Sequence, residues 1–283
     1  MSNIYLGCAI WGYRPWVGDW LPAGTSANDM LRAYSQRLTT VEINATFYAV
    51  PDAATVARWA ADTPEGFRFC PKVPKAISHS GALARQGGPT RDFIGRLQGL
   101  GAKLGPIFLQ LPPGYGPSQL ADLSAWLDGW PAEVELAVEV RHPAWFGGPA
   151  GGELNRRLAA RGAGRVVVDV RPVNTGATTD QLILEARRKK PSVPVELDYT
   201  GSAVLLRFMG HPDLAIDRPI LADWASQTAA WLDAGKTVYA FMHCPVEERS
   251  PELCGIFAEQ LADLGVPIIL PEPELPPEQL TLF

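Results

Sequence analysis

The sequence lacks the features that would place it in several large functional classes. It has only four cysteines in 283 residues, Cys8, Cys70, Cys244 and Cys254, and none forms a C-x-x-C pair. A disulfide scaffold and a cysteine-rich zinc site are therefore not expected. Three of the four fall in or just after predicted strands, and all are read as reduced, small apolar fillers of a cytoplasmic protein. Excess positive charge is also missing. Lys and Arg number 25 against 30 Asp and Glu, for a net charge of −5. That balance argues against a general nucleic-acid binder, although a local basic patch remains open. No apolar run is long enough to span a bilayer. The chain enters its first predicted strand at Ile4 with no basic leader, so no signal peptide is expected and no membrane partner is assigned. There is no dinucleotide glycine fingerprint after the first strand, no H-x-H or H-E-x-x-H pattern, and no internal repeat.

What is present is a regular alternation. Eight short apolar or alternating runs read as strands, at 4–10, 40–44, 67–73, 106–111, 135–141, 165–171, 203–209 and 237–243. Helical patterns lie between most of them: 26–38 capped by Ser26, 53–61 capped by Asp52, 91–100 capped by Thr90, and 119–127 capped by Ser118. Others follow at about 152–160, 220–232, and from Ser250 to near Gly265. Strands alternating with helices imply a parallel sheet. The expected fold is a single α/β domain, a (β/α)8 TIM-like barrel over 1–266, followed by an extended Pro/Glu-rich tail over 267–283. The sixth unit is irregular. Residues 172–202 carry Pro172, Pro191, Pro194 and the run Arg187-Arg188-Lys189-Lys190, which predicts a long loop with one helix around 179–188.

In such a barrel, alternate strand residues point inward, and those at the carboxyl ends line the mouth. That register places Glu42 and Asn44 inward on strand two, Lys72 on three, Gln110 on four, and Glu139 and Arg141 on five. Asp169 and Arg171 follow on six, Arg207 on seven and His243 on eight. One reading is a self-compensating floor of ion pairs. The other is a site. Carboxylates suit acid–base work, with Glu42 and Glu139 as general acid and base and Asp169 beside them. Lys72, Arg141 and Arg207 suit an anionic substrate, Asn44 and Gln110 would orient it, and His243 would shuttle a proton or join a metal. Glu42, Glu139, Asp169 and His243 could together hold a divalent metal, but the interleaved cations disfavour one, so no cofactor is assigned. All four histidines, His79, His142, His211 and His243, fall near the same predicted rim. So do the aromatics Trp11, Tyr13, Trp16, Phe47, Tyr48, Trp145 and Phe146, which could stack a sugar or a base. Cys244 beside His243 is sequence adjacency, not evidence of a nucleophile.

These residues resemble the YecE-like family, catalogued as domain of unknown function 72. The resemblance covers nearly the whole chain. It rests on Trp11-Gly12-Tyr13 with Trp16, the run from Thr40 to Tyr48, and Thr63-Pro64-Glu65-Gly66-Phe67-Arg68-Phe69. It continues through Lys72, Gly105-Pro106, Gln110-Leu111-Pro112-Pro113, Glu139-Val140-Arg141-His142-Pro143 with Trp145-Phe146, and Arg207-Phe208-Met209-Gly210. The resemblance implies a TIM-like barrel and no established activity. This chain departs from the family's usual pattern at Met242-His243-Cys244, where a Phe-Asn-Asn type ending is usual. It departs again at Cys8-Ala9-Ile10, where a Thr-Ser-Gly type run is usual. The terminal Gln279-Leu280-Thr281-Leu282-Phe283 is similar to the peptide by which bacterial polymerases and repair proteins hold the sliding clamp. An extended tail would offer Leu280, Leu282 and Phe283 to an apolar groove, with Gln279 adding a hydrogen bond.

The functional expectation is a hydrolase or lyase on an anionic, phosphate-bearing nucleotide or nucleic acid, linked to DNA through the tail. The alternatives are a small-molecule or carbohydrate enzyme with no DNA link, and a non-catalytic adaptor for the sliding clamp.

Overall fold

The computed structural model describes residues 4–266 and 268. Among these are nine strands: β1 (Ile4–Cys8), β2 (Thr40–Ile43), β3 (Arg68–Pro71), β4 (Ile107–Gln110), β5 (Leu136–Glu139), β6 (Gly164–Arg165), β7 (Val167–Asp169), β8 (Ala203–Met209) and β9 (Thr237–His243). Ten α-helices accompany them: α1 (Met30–Ser35), α2 (Ala45–Tyr48), α3 (Ala53–Ala61), α4 (Lys75–Ser78), α5 (Gly87–Leu97), α6 (Leu120–Asp128), α7 (Gly148–Ala160), α8 (Gln181–Lys189), α9 (Leu214–Asp233) and α10 (Ser250–Asp263).

Every strand pair is parallel, as strands separated by helical crossovers require. The strands form three ladders, in the orders β1-β9-β8-β7, β2-β3 and β4-β5-β6. Isolated bridges at Phe69–Leu104 and Lys72–Phe108 connect the second ladder to the third. The Thr39 N–H donates to Leu6 O across the gap between β1 and β2. Among the described residues the ladders do not join into one continuous ring, so the α/β fold with parallel strands is as expected and the closed (β/α)8 barrel is not shown.

The strands separate two apolar layers. On one face, Leu6, Val41, Ile43, Leu109, Val138 and Phe208 pack with helix residues such as Leu31, Trp59, Trp224 and Phe257. On the other, Cys70, Phe108, Ala137, Val166, Val168 and Phe241 meet in an inner cluster. This is the period-two alternation of a strand buried on both sides.

Close approach of β1 to β2 requires glycine. A Cβ on Gly7 would sit 2.0 Å from Thr40 O and 3.0 Å from the Tyr34 hydroxyl. That hydroxyl donates to Thr40 O at 2.9 Å and accepts from the Cys8 N–H at 2.7 Å, so one buried tyrosine ties the two strands. Gly7→Ala should therefore cost about 1–3 kcal/mol of stability through overpacking against backbone. A urea midpoint unchanged from wild type would show that the strands separate freely.

Several expectations differ in detail. The predicted strand at 165–171 is two short strands, β6 and β7, joined at Val166. The predicted strand at 4–10 stops at Cys8. Ser26 caps no helix: its hydroxyl donates to Asp29 Oδ2, and α1 begins only at Met30. Thr90 lies within α5, where its hydroxyl donates to Gln86 O. The predicted helix at 220–232 begins earlier, and Pro219 lies within the first turns of α9. The short helices α2 and α4 follow β2 and β3 and have no predicted counterpart.

Residues 173–190 fold over the carboxyl ends of the strands, and the chain then runs back along α7 to the start of β6, where Asp198 accepts from Asn155 Nδ2 and the Thr200 hydroxyl donates to Ala163 O. α8 is capped by Asp180, whose carboxylate accepts from the Leu182 N–H at 2.8 Å. Ile183 of α8 enters the inner cluster beside Val173 and Met209. Arg187 fixes the segment by donating to Val173 O and Thr175 O, each at 2.7 Å.

Candidate functional site

Three side chains on separate strands form the centre of the site. Glu42 of β2 and Glu139 of β5 are fully buried, and Arg207 of β8 is 3% exposed. Arg207 donates from Nε to Glu42 Oε2 and from Nη2 to Glu42 Oε1, both at 2.7 Å. Its remaining Nη1 donates to Glu139 Oε2 at 2.5 Å. One guanidinium thus joins two carboxylates across the interior in the planar geometry it favours. Glu42 Oε1 also accepts from Asn44 Nδ2 at 2.7 Å, and Glu139 Oε1 from Arg141 Nε at 2.6 Å.

Burial alone would raise both carboxyls. The cationic partners reverse that. Glu42 is held well below the usual carboxylate range by Arg207, and Glu139 is brought down to about 2 by Arg141 and Arg207. His243 of β9 places Nε2 3.3 Å from Glu42 Oε2 without forming a hydrogen bond. Its burial outweighs the pull of Glu42 and lowers it to about 4, so the imidazole is neutral at pH 7.

A second layer lies toward the mouth. Gln110 Oε1 accepts from Arg141 Nη2 at 2.7 Å and from Lys72 Nζ at 2.8 Å. Lys72 Nζ sits 4.2 Å from the Phe47 ring centroid and 5.8 Å from that of Phe108. The backbone around Lys72 is fixed by Thr46, whose hydroxyl accepts the Lys72 N–H at 3.0 Å. Burial is the largest influence on Lys72, aided by Arg207, and lowers it to about 8.

Above these groups opens a cavity of about 540 Å³. Asn44, Lys72, Gln110, Arg141, Arg207 and His243 line it from the strands. Phe47 and Tyr48 line it from α2, and Glu185, Lys189 and Lys190 from α8 and its end. Glu247 closes one side; burial raises its carboxyl to about 7, against the opposing effect of Ser250 and Lys190. Burial likewise lowers Lys190 to about 8. Glu185 pairs with Lys189 one helical turn away. With Glu42, Glu139 and Glu185 each matched to a cation, Lys72 and Lys190 have no ion-pair partner among the described residues. The cavity therefore carries surplus positive charge.

The oxygens that a metal would use are engaged by guanidinium and amide donors. Among the described residues, no group of three or more His, Cys, Asp or Glu is arranged to hold one.

The structure brings Glu42, Asn44, Tyr48, Lys72, Gln110, Glu139, Arg141, Arg207 and His243 to one place. It does not bring the remaining candidates there. Asp169 faces the helix layer, where Oδ2 accepts from Trp224 Nε1 at 2.7 Å and from Arg171 Nη2 at 2.7 Å. The inward register expected for Asp169 and Arg171 is corrected accordingly: β7 pairs Val168 with the inward Arg207, which turns Asp169 outward. Trp11 packs edge-on against Trp59 at 5.4 Å, and Tyr13 donates to Glu248 Oε1 at 2.7 Å. His142 caps the turn Pro143–Trp145 by accepting the Ala144 N–H at 3.2 Å. None of these three lines the cavity. Tyr48 does, but at 82% exposure it stands at the rim. All four cysteines are free and buried, with Cys8 and Cys254 sulfurs 3.7 Å apart. No helix among the described residues is long and apolar enough to cross a membrane. Gln279, Leu280, Leu282 and Phe283 lie outside the described residues.

Sequence reasoning placed Phe47 among the rim aromatics, where the structure has it, and missed Lys190 and Glu247 as lining residues. A signal existed for Lys190, the last residue of the basic run.

Parallel strands with a charged cluster at their carboxyl ends, beneath a cavity walled by loops, define an α/β protein with a pre-formed interior site. The chain belongs to the family described as "Protein of unknown function DUF72", whose model matches residues 5–279. It is 36% identical over 281 residues to the UPF0759 protein YecE of Escherichia coli (strain K12), covering 99% of this chain and 100% of that protein. It is 26% identical over 159 residues to the UPF0759 protein YunF of Bacillus subtilis (strain 168), covering 52% of this chain and 53% of that one. Among solved structures it is similar to a DUF72 family protein of Enterococcus faecalis V583, with TM-score 0.67, 20% identity, and coverage of 93% of this chain and 98% of that chain. A DUF72 family protein of Thermotoga maritima MSB8 gives TM-score 0.66 at 18% identity, covering 92% and 98%.

Proposed function

We propose that the chain is an enzyme of the hydrolase or lyase type acting on a small anionic substrate, carboxylate or phosphate, bound in the interior cavity. The observation that carries this is the charge imbalance: two buried carboxylates are matched by Arg207 and Arg141, while Lys72 at the end of β3 and Lys190 at the end of α8 line the same cavity without an ion-pair partner among the described residues. A buried cation without a counter-charge is costly, and a bound anion relieves it. We read the three ladders as an interrupted (β/α)8-type barrel, whose function belongs at the carboxyl ends.

The proton-transfer roles move. Glu42 and Glu139 are held ionised, so neither is a proton donor near neutral pH; they fix the guanidinium forks. Groups poised near neutrality are Glu247 at about 7 and Lys72 and Lys190 at about 8. The cavity's size favours a metabolite or mononucleotide over a nucleic-acid strand.

Inorganic phosphate and a small dicarboxylate should raise the melting temperature of the wild-type protein. Lys190→Met should weaken that binding by about ten-fold or more, the usual loss for one charge-assisted hydrogen bond. Binding constants from calorimetry that are equal in the variant and the wild type would defeat the proposal.

A further inference from the structure

Lys72 has surroundings that set it apart from the other cations of the site. Arg207 and Arg141 each donate to a carboxylate. Lys72 is 7% exposed, and its side-chain hydrogen bond goes to a neutral amide oxygen, Gln110 Oε1, which also serves Arg141. The Phe47 and Phe108 rings flank the amine. Glu42 and Glu139 are near enough to act on it, but their oxygens are aimed at guanidinium groups.

The two protonation states fare differently here. As an ammonium, Lys72 is desolvated and repelled by Arg207 and Arg141, and the attraction of Glu139 and Glu42 together with the ring faces offsets this only in part. As a free amine it keeps its bond to Gln110 and loses the repulsion. A lysine desolvated in an apolar pocket beside other cations is the ordinary way a protein makes a nucleophilic amine. The placement also suits attack, because the amine lines the open cavity rather than a closed void.

We propose that Lys72 forms an imine with a small substrate bearing both a carbonyl and a carboxylate or phosphate, the anion being held by Arg141 and Lys190. This rests on the anion-binding reading above and narrows it to carbonyl compounds. In the step, the Nζ lone pair adds to the carbonyl carbon and the C–O π electrons move to oxygen. The two nitrogen-borne protons and that oxygen then leave together as water, with a C=N bond in place of C=O. Nothing is oxidised or reduced. The protonated imine accepts electrons from a bond one carbon away, so the chemistry it supports is carbon–carbon cleavage or decarboxylation, the lyase arm of the proposal.

The test uses the full-length chain, sodium cyanoborohydride to reduce any imine, and two matched probes, glyceraldehyde 3-phosphate and glyceraldehyde. Adducts are located by peptide mass spectrometry. The phosphate-bearing probe should label Lys72 ahead of the exposed lysines, and about ten-fold faster than the neutral probe does. Inorganic phosphate should slow that labelling, and its rate should level off above pH 8 while that of exposed lysines keeps rising. Labels confined to exposed lysines, with Lys72 untouched, overturn the imine proposal, and do so even where phosphate still raises the melting temperature and the anion reading survives. Lys72 labelled equally by both probes keeps the amine chemistry but overturns the anion pocket on which the proposal rests.

Discussion

Replacing Arg207 with methionine should cost about 3–5 kcal/mol of folding stability, the usual penalty for removing one partner of a buried ion pair. The reason is arithmetic of charge in a dry interior. Arg207 satisfies both oxygens of Glu42 and one of Glu139, and none of the three residues is more than 3% exposed. Without it, Glu139 keeps Arg141 and Glu42 keeps only Asn44 and the neighbouring His243. The expected response is uptake of a proton by Glu42 or His243, because a neutral group is cheaper to bury than a lone charge. The double variant Arg207→Met, Glu42→Gln should recover most of the loss, since Glu139 keeps Arg141 and the carboxylate left alone is removed together with the guanidinium. Urea unfolding of both variants checks this. A single variant within about 1 kcal/mol of wild type would mean the cluster is open to water and only nominally paired.

How much of this was legible in the sequence depends on the strand. In β2 and β5, charged and apolar residues alternate, so Glu42 and Glu139 could be assigned to the inner face from Val41, Ile43, Val138 and Val140 alone. In Arg165-Val166-Val167-Val168-Asp169-Val170-Arg171 the same reasoning fails. Valines occupy both parities, so apolarity carries no phase, and the polar residues share one parity that resembles a site. That face in fact meets the helices, which supply its partners: Asn155 of α7 for Arg165, and Trp224 of α9 for Asp169. Those partners are distant in sequence and have no local signature. Lys190 was hidden for a related reason. It ends α8, whose place over the strands is set by tertiary contacts of Ile183 and Arg187. The family resemblance was carried by the motifs themselves, and the 36% identity over nearly the whole chain agrees with it.

Stability should rise as pH falls from 7 to about 4.5 and then fall steeply as more acid is added, by about 3 kcal/mol from Glu139 alone. Five groups produce this shape. Glu139 is lowered from 4.5 to about 2, so its contribution is complete above pH 4.5 and is lost as pH falls through about 2; Glu42 acts in the same direction. His243 is lowered from 6.5 to about 4, so the unfolded chain takes up its proton first and stability falls between pH 6.5 and 4. Glu247 is raised by burial from 4.5 to about 7, and Asp217 from 3.8 to about 7, which has the opposite sign: their contributions are fully present below about pH 4 and lost as pH rises through about 7. Over the shared window the two carboxyls' gains exceed the histidine's loss, which produces the rise. Glu247→Gln removes one gain and leaves that of Asp217 set against the loss of His243. Its stability should therefore stay nearly level from pH 7 to about pH 4.5, where that of the wild type rises. Urea midpoints followed from neutral pH to about pH 3 for both proteins separate these cases. Parallel curves for the two would mean that Glu247 does not hold its proton in the folded protein, and it would then be one more carboxylate set against Lys190. The surplus of positive charge in the cavity would shrink to Lys72 alone, so the acid limb of the stability curve bears directly on whether the cavity is built for an anion.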